Sequence, residues 1–408
     1  MVSRIAVQCR QCGKHLVLRI TISGGHQPFL FACPYCRSEL RGRLSASPGK
    51  PFGLESEDFD VTDLQDNDTD VIAVAINTDF PVSLSSIEQS AEEISITPFI
   101  ALVMELGDDV TMEVMANVEA LRALREEIFP HVRRASSYFT RGDLNGTRNA
   151  LQKAPGGDAV DFSALNVVSV LSHAMGLLYA PIEDQSLRTE AAEEWAKTLG
   201  EALRKDKLAV ESLFVEFEKP LSEHRARAFD TALNMLGAVD SLISALFAER
   251  MSITPGIDID RYRVMRDDFD ALKIRYQDAF EVASRTLAFT GRVANIAHRG
   301  DVREHADGIA CSFNQALNRT TAYKREPWLA DFPVAKKLYD AMKRNTRNDI
   351  GHRLVRYDFE SGTLKYEDGS AENYLLFLED YLHAVRLTHH ALDVCELLWY
   401  ANEAVGSK

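Results

Sequence analysis

The sequence predicts a mainly α-helical protein with a small β domain at its N-terminus and a β-hairpin insertion near its C-terminus. From about residue 96 onward, apolar residues recur at spacings of three and four, which is the period of one helix face. Before that point, short β-like segments flank two Cys-x-x-Cys pairs, and apolar and polar residues alternate again over residues 354–366. We therefore expect one or more helical bundles that carry two small β elements.

The composition indicates a soluble globular protein. The chain has 408 residues, of which 46% are hydrophobic and 26% charged, and this length suits two or three domains. No apolar segment of signal-peptide length precedes Cys9, and polar residues interrupt the longest apolar run, 164–180. We expect a cytoplasmic protein with no membrane contact. The net charge of -15 argues against unselective coating of nucleic acid, which depends on Lys and Arg neutralising phosphates.

Four cysteines form the strongest motif in the chain. Residues 16–22 and 29–31 have strand-like composition and are joined by Ser-Gly-Gly, so a hairpin between them would bring two Cys-x-x-Cys knuckles together. This arrangement resembles a zinc ribbon over residues 1–45. The resemblance implies a structural Zn²⁺, because four protein ligands leave no open position for catalytic water. A reduced thiol cluster or redox pair is the alternative. The ligands would be Cys9, Cys12, Cys33 and Cys36.

Two kinds of binding partner suit this β domain. Its basic residues suit contact with RNA or DNA, and a small protein-interaction domain with solvated charges is an equal alternative. The basic residues are Arg10, Lys14, Arg19, Arg37, Arg41 and Arg43.

Composition then divides the rest of the chain. Residues 46–95 are predicted to be an acidic linker, extended or poorly ordered, with a short strand near residues 70–76. Residues 96–255 form a helical region of unknown role, in which Pro220 is expected to begin a helix. A Thr-Pro-Gly boundary near residue 255 then precedes a C-terminal helical bundle at 256–408.

A basic segment stands out in this acidic chain. Between residues 343 and 356, five basic residues accompany a single acid, Asp349, and this local reversal of charge predicts an anionic ligand. The five are Lys343, Arg344, Arg347, Arg353 and Arg356. Within the segment, Arg347 is a forked cation, Asn348 both donates and accepts, and His352 titrates near neutral pH. Together these three side chains suit holding a phosphate and moving a proton.

The pattern Arg347-Asn348-x-x-x-His352 resembles the signature of the HEPN superfamily of helical bundles. The resemblance covers the last 110 to 150 residues. It implies an endoribonuclease that needs no catalytic metal and works as a homodimer, often as a toxin or antiphage defence effector. The RNA substrate would be tRNA or mRNA, cleaved by attack of its own 2′-hydroxyl. Arg347, Asn348 and His352 would be catalytic, and the remaining four basic residues of the segment would bind substrate.

Three other interpretations remain. The first is a non-enzymatic HEPN-like and zinc-ribbon scaffold that binds nucleic acid or a protein. The second places the site at Arg292 and His298, although Val293 stands where the family pattern has a polar residue. The third is a metal site in the group His298, Asp301, Glu304, His305 and Asp307. His389 lies on an apolar helix face and is expected to be a core histidine. No Gly-rich phosphate loop and no nucleophile-elbow serine motif occurs in the sequence.

Overall fold

The computed structural model describes residues 2–21, 25–46, 53–63, 71–91, 96–157, 166–266, 268–305, 308, 310–318, 327–340 and 355–406. Over these residues the protein is mainly α-helical with small sheets, as the sequence predicts. The strands are β1 (Val2–Cys9), β2 (His15–Thr21), β3 (Gly25–Ala32), β4 (Glu39–Ala46), β5 (Gly53–Glu55), β6 (Phe59–Val61), β7 (Ile72–Ile76), β8 (Val82–Ser83), β9 (Glu88–Ser90), β10 (Tyr262–Arg263), β11 (Val355–Asp358), β12 (Thr363–Tyr366) and β13 (Ala371–Asn373).

Helices make up most of the described chain after residue 97. They are α1 (Pro98–Leu106), α2 (Asp108–Glu127), α3 (Phe129–Phe139), α4 (Leu144–Leu151), α5 (Asn166–Tyr179), α6 (Gln185–Lys205), α7 (Lys207–Leu236), α8 (Val239–Ile253), α9 (Phe269–Ala294), α10 (Phe313–Asn318), α11 (Pro333–Asp340) and α12 (Tyr374–Gly406). No single helix among the described residues is long and apolar enough to cross a bilayer. The pair α7 and α8 meets that criterion only when both are counted together.

The chain divides into two compact units, each assembled from three separate stretches. The first unit comprises residues 1–116, 240–273 and 349–381, and the second comprises 117–239, 274–348 and 382–408. The boundaries drawn from the sequence at residues 95 and 255 therefore both fall inside the first unit. No local composition signal marks these units, because each depends on packing between stretches that are far apart in the chain.

Two sheets form the β module of the first unit, which we define as strands β1 to β7 and β9. One sheet has the order β6-β1-β2-β7-β9, with β2 and β7 parallel; the other has the order β3-β4-β5. The strands predicted on either side of the Ser-Gly-Gly segment exist, but the predicted hairpin between them is wrong. Instead β1 pairs with β2 and β3 pairs with β4, because each Cys-x-x-Cys knuckle is itself a chain reversal.

Aromatic residues fill the core of the β module. Phe29, Phe31 and Phe59 come from both sheets, and their ring centroids lie 6.1 to 6.4 Å apart. Gly42 faces Phe29 across the β3–β4 pair, and a Cβ at Gly42 would lie 2.2 Å from the phenylalanine ring. Any larger residue at position 42 would therefore displace the Phe29 ring from this core.

The part of the predicted acidic linker that is described belongs to these sheets. Strand β5 pairs with β4 and strand β6 pairs with β1. Phe59 is buried in the core, and Ser56 Oγ donates to the carbonyl of Arg41 at 2.5 Å. Residues 64–70, which hold the remaining acids of that run, lie outside the described residues. One buried phenylalanine and the backbone pairing outweigh the repulsion between acids that favoured an extended linker.

A buried ionic network lies at the start of α9 in the first unit. Asp268 accepts hydrogen bonds from Arg266 Nε at 2.7 Å, Ser241 Oγ at 2.6 Å and the Tyr374 hydroxyl at 2.8 Å. Burial raises the pKa of Asp268, but the charge of Arg266 and these three hydrogen bonds outweigh burial and leave the pKa below its usual value. The network joins α8, α9 and the start of α12.

Beside this network lies the three-stranded sheet β11-β12-β13. The predicted hairpin is present, with Arg356 opposite Lys365 and a third strand, β13, added on the far side of β12. Gly362 closes the turn at φ 69°, and its N–H donates to the Asp358 carbonyl at 2.8 Å. Arg263 lies against this turn and donates to the Glu360 carbonyl at 2.9 Å.

The second unit is held together by helix packing. Rings of Phe217, Phe289 and Phe313, from α7, α9 and α10, lie with centroids 4.9 to 5.2 Å apart. Pro220 lies inside α7 and does not begin it. The helix starts earlier because the Asp206 side chain accepts from the Ala209 N–H at 2.9 Å and caps it.

We predict that Asp268→Asn lowers the free energy of unfolding by about 3–5 kcal/mol, because Arg266 would be left buried without its counter-charge. Chemical denaturation measures this change. The pKa of Asp268 lies below its unfolded value, so its contribution is present above about pH 4 and is lost as the pH falls through the folded pKa. The difference between wild type and variant should therefore narrow in acid.

The matched control is Asp270→Asn, two residues along in α9. The Asp270 side chain is 87% exposed, so we expect its substitution to change the stability by no more than about 0.5 kcal/mol. Equal losses in the two variants would contradict the role given to the buried network.

Candidate metal centre and the flanks of the basic segment

Two equivalent knuckles present the four cysteines. In the first, the Cys9 N–H donates to the Lys14 carbonyl at 3.0 Å and the Gly13 N–H donates to the Cys9 carbonyl at 2.8 Å. In the second, the Cys33 N–H donates to the Ser38 carbonyl and the Arg37 N–H donates to the Cys33 carbonyl, both at 2.9 Å. The two chain reversals thus have the same hydrogen-bond pattern.

The residue after the second cysteine is left-handed in both knuckles. Gly13 has φ 70° and Arg37 has φ 60°, and Arg37 is the one non-glycine residue with positive φ in the described chain. The sequence pattern indicates Arg37 only as a basic residue. Its alignment with Gly13, one position after each Cys-x-x-Cys pair, was the signal that could have revealed its conformational role.

The four sulfurs converge on one point at the ends of the two hairpins. Cys9 Sγ lies 4.0 Å from Cys36 Sγ, Cys12 Sγ lies 3.8 Å from Cys33 Sγ, and all four sulfurs lie within 4.8 Å of one another. A tetrahedral site with metal–sulfur bonds of about 2.3 Å requires sulfur–sulfur separations of about 3.8 Å. The observed spacing fits a four-coordinate metal ion, so the predicted ligand set is brought together and could hold one.

The four cysteines differ in how deeply they are buried. Cys9 and Cys33 are fully buried, whereas Cys36 is exposed at the surface of the second knuckle. Burial raises the pKa of Cys33 to about 12, while hydrogen bonding with the Ser38 hydroxyl lowers the pKa of Cys36 to about 6. Four sulfurs this close favour a bound cation, because closely spaced thiolates repel one another unless a metal shares their charge.

Acidic side chains pair with three of the basic residues around the knuckles. Arg10 donates to both carboxylate oxygens of Asp60 at 3.0 and 2.6 Å, and Arg37 donates to Glu88 at 2.7 Å. Arg41 pairs with Glu39 in the same way. Arg19 is 8% exposed and donates to Gln89. Three of the six basic residues noted in the sequence of this domain are therefore paired with acids within the β module.

Six of the seven predicted substrate-contacting and catalytic residues lie outside the described residues. These are Lys343, Arg344, Arg347, Asn348, His352 and Arg353. The seventh, Arg356, is on strand β11. Its side chain is exposed, lies opposite Lys365 across the hairpin, and makes no ion pair with any residue in the described part of the chain. Lys365 is paired with Asp358 on the same hairpin, whereas Arg356 has no acidic partner among the described residues and could contact an anion.

The rival site at Arg292 and His298 has no geometry suited to a substrate. Arg292 is 1% exposed, and it donates to the carbonyls of Val302 at 2.6 Å and Cys311 at 2.8 Å. His298 is exposed in the π-helical turn that follows α9. The Arg292 guanidinium is thus used to hold the chain segment after α9 and is not available to a phosphate.

The predicted metal cluster near residue 305 is also dispersed. Among the described residues the four cysteines are the only group spaced for a metal ion. His305 instead contacts Asn295 Nδ2 and Cys311 Sγ, both at 3.2 Å, and Asp307 lies outside the described residues. His389 is a core histidine, as predicted, because its Nδ1 lies 2.6 Å from Glu183 Oε2 and both side chains are 2% exposed.

Comparison of the chain with protein-family models, with curated proteins and with solved structures gives no match. Functional inference for this protein therefore depends on its own residues.

We predict that Cys33→Ser abolishes metal binding and destabilises the β module, because Cys33 is buried and both hairpins meet at its sulfur. Titration with Co²⁺ measures binding, since thiolate coordination in a tetrahedral site gives intense visible absorption bands. Wild type should bind one ion per chain, and removal of that ion by a chelator should lower the unfolding temperature.

Cys395→Ala is the matched control, because Cys395 is equally buried but lies in α12 of the second unit. It should retain one metal ion per chain. Metal binding that survives Cys33→Ser would show that Cys33 is not a required ligand, and wild type that binds no Co²⁺ would show that the cluster is a set of thiols with no metal role.

Proposed function

We propose that this protein is a metal-independent endoribonuclease whose active site is formed by Arg347, Asn348 and His352. The observation that carries the proposal is the sequence Arg-Asn-x-x-x-His at positions 347–352, which matches the HEPN pattern without departure. The surrounding chain supports it, since helix α11 precedes the motif and the β11–β12 hairpin and the long helix α12 follow it in a mainly helical protein.

Charge provides independent support. The protein has a net charge of -15, yet residues 343–356 contain five basic side chains and one acid. In the β module, by contrast, Arg10, Arg37 and Arg41 are paired with acids. Arg356 is left without such a partner among the described residues, on the strand that directly follows the motif. An RNA backbone would supply the missing negative charge.

The three motif residues suit RNA cleavage without a metal, with a second copy of the motif providing the other proton-transfer group. The 2′-hydroxyl of the substrate is the nucleophile, and His352 removes or delivers a proton because its unperturbed pKa lies near working pH. Arg347 donates a pair of charge-assisted hydrogen bonds to the phosphorane as negative charge builds on it. Asn348 orients His352 or a phosphate oxygen. The 2′-oxygen then becomes part of a 2′,3′-cyclic phosphate, and the 5′-oxygen leaves with a proton.

A homodimer follows from this chemistry. One imidazole does not easily act as base and acid in the same step, so a second copy of the chain would provide the other group. We therefore propose a homodimer that cleaves RNA such as tRNA or mRNA and acts as a toxin or antiphage effector. Zn²⁺ at Cys9, Cys12, Cys33 and Cys36 would be structural and take no part in the reaction.

An exposed apolar stripe favours a second candidate, a scaffold that binds a protein partner. Ile100 and Met104 follow one another on α1 at a spacing of four, and Met112 is an exposed apolar residue on the following helix α2. These side chains are 49%, 71% and 70% exposed. Exposed apolar residues in a row are typical of protein-interaction surfaces, and methionine adapts readily to different partners. A scaffold would tolerate changes at Arg347 and His352.

We predict that wild-type protein cleaves RNA without added Mg²⁺ and leaves 2′,3′-cyclic phosphate ends. His352→Ala should lower the cleavage rate at least about 100-fold, because it removes the general acid–base group. Arg347→Ala should do the same by removing the phosphorane contact. Cleavage of labelled total RNA followed by end-group analysis measures the effect. A DNA copy of a cleaved sequence should stay intact, since it lacks the 2′-hydroxyl.

His298→Ala is the matched control, because it removes an exposed histidine that also follows an arginine in the sequence. It should retain full activity. Folding is checked by circular dichroism for each variant. If folded, dimeric wild type cleaves no RNA and is no more toxic in cells than His352→Ala, the ribonuclease proposal is wrong and the scaffold is favoured.

We further predict that Arg356→Ala weakens RNA binding and lowers the magnitude of the salt-dependence slope of log K by about one, the loss expected for one phosphate contact. Binding is measured in the His352→Ala background, so that cleavage does not interfere. The control is Arg43→Ala, an exposed strand arginine on β4 that has no ion pair in the described residues. If Arg356→Ala leaves the affinity and the salt dependence unchanged, the assignment of a phosphate contact to the hairpin is wrong; if Arg43→Ala weakens binding equally, RNA contacts the β module as well.

A further inference from the structure

Helices α6 and α12 of the second unit enclose an open slot of about 460 Å³. This volume lies within the range of small-molecule sites. Small side chains make room for it on one wall, where Ala192 and Ala196 of α6 lie one helical turn apart. Val394 and Leu397 of α12 line the opposite wall. The slot therefore offers an apolar channel between two helices, and sequence analysis assigned it no role.

Aromatic rings stand at this slot. Trp195 is 4% exposed and Tyr400 is half-buried, and both line the cavity. The indole N–H of Trp195 donates to His390 Nε2 at 3.1 Å, so the polar edge of that ring is already bonded. Phe332 packs against the Trp195 ring with centroids 3.5 Å apart, so a ligand would contact only the part of each ring that lines the cavity. The π surface of such a ring attracts cations more strongly than neutral groups.

The slot has one compensated ion pair and two carboxylates without a cation. Arg188 donates to both oxygens of Asp393 at 2.7 Å, so its positive charge is committed. Glu193 and Glu396 also line the slot, and neither forms an ion pair with a described residue. Burial raises the pKa of Glu396 and the charge of Asp393 adds to this, while hydrogen bonds with Ser172 and Tyr400 and the charge of Arg188 act in the opposite direction. A half-buried carboxylate without an ion pair is costly, and a bound cation would stabilise it.

The nearest titratable ring adds no positive charge. His390 is buried at the slot, and burial lowers its pKa to about 4. It is therefore neutral at physiological pH and accepts the Trp195 hydrogen bond. The charge of the lining is thus negative overall, because Glu193 and Glu396 remain after Arg188 and Asp393 cancel.

From this combination we propose that the slot between α6 and α12 binds a small organic cation, an amine or quaternary ammonium group attached to an apolar body. The apolar walls take the body, and the cationic group lies between the rings and the carboxylate of Glu396. Anionic ligands are disfavoured, since the single arginine already has its partner. This site is independent of the proposed ribonuclease residues, and its test does not depend on cleavage.

The probe for the test is benzyltrimethylammonium, and its binding is measured by isothermal titration calorimetry on the full chain. Benzenesulfonate, which has the same ring and the opposite charge, is the negative probe. We expect the cation to bind wild type and the sulfonate to bind at least about tenfold more weakly, a difference of about 1.4 kcal/mol. Glu396→Gln should weaken cation binding by a similar factor, because it removes the charge and keeps the shape.

Two further variants decide between a charged slot and a general apolar surface. Ala196→Leu should fill the slot and abolish cation binding while α6 stays folded. Glu190→Gln, an exposed acid on α6 that does not line the slot, should leave the affinity unchanged. No binding of the cation, equal binding of the sulfonate, or equal weakening by Glu190→Gln and Glu396→Gln would overturn the proposal. A change of oligomeric state in Ala196→Leu, measured by light scattering, would overturn it in favour of a subunit interface.

Discussion

The first unit depends on bringing four sulfur atoms within 4.8 Å of one another. Cys9 and Cys12 belong to the hairpin of the five-stranded sheet, and Cys33 and Cys36 belong to the hairpin of the three-stranded sheet. The two sheets have separate strand pairings, and they are joined at the sulfurs, through the aromatic core and by side-chain contacts such as the Arg37–Glu88 ion pair. A metal ion at the sulfurs would hold the two sheets together where their knuckles meet, while Phe29, Phe31 and Phe59 fill the space between the sheets.

The same arrangement decides where positive charge is available. Asp60, in the segment predicted to be an acidic linker, lies on strand β6 and pairs with Arg10. Glu88, on strand β9, pairs with Arg37. Exposed pairs of this kind add little stability, but they cancel the field that nucleic acid would be attracted to. The basic segment at 343–356 is then the main concentration of positive charge left in an acidic chain. That contrast supports the proposed function of the motif at 347–352, which lies within this segment.

Local sequence signals predicted the elements well and their partners poorly. The cysteine ligands, the hairpin at residues 355–366 and helix α12 follow from short spacings, because a knuckle, a turn or a helix face is defined within a few residues. The pairing of β2 with β7 could not be predicted, since it joins residues that are 56 positions apart, such as Leu16 and Ile72. The prediction that Pro220 begins a helix is wrong for a different reason. The Asp206 cap and the packing of α7 override the usual helix-breaking effect of proline. The slot between α6 and α12 could not be predicted either, because residues far apart in the chain, such as Arg188 and Asp393, come together there only in the fold.

Completion of the β module has a consequence for how the protein is made. Met265 is part of the aromatic core, its carbonyl accepts from the Leu30 N–H, and Arg266 bridges to Phe29. During translation from the N-terminus, the two knuckles emerge from the ribosome long before these residues. The cysteines would therefore meet metal ions while one side of their core is still open to water. About two thirds of the chain must be synthesised before the module at its beginning can finish folding.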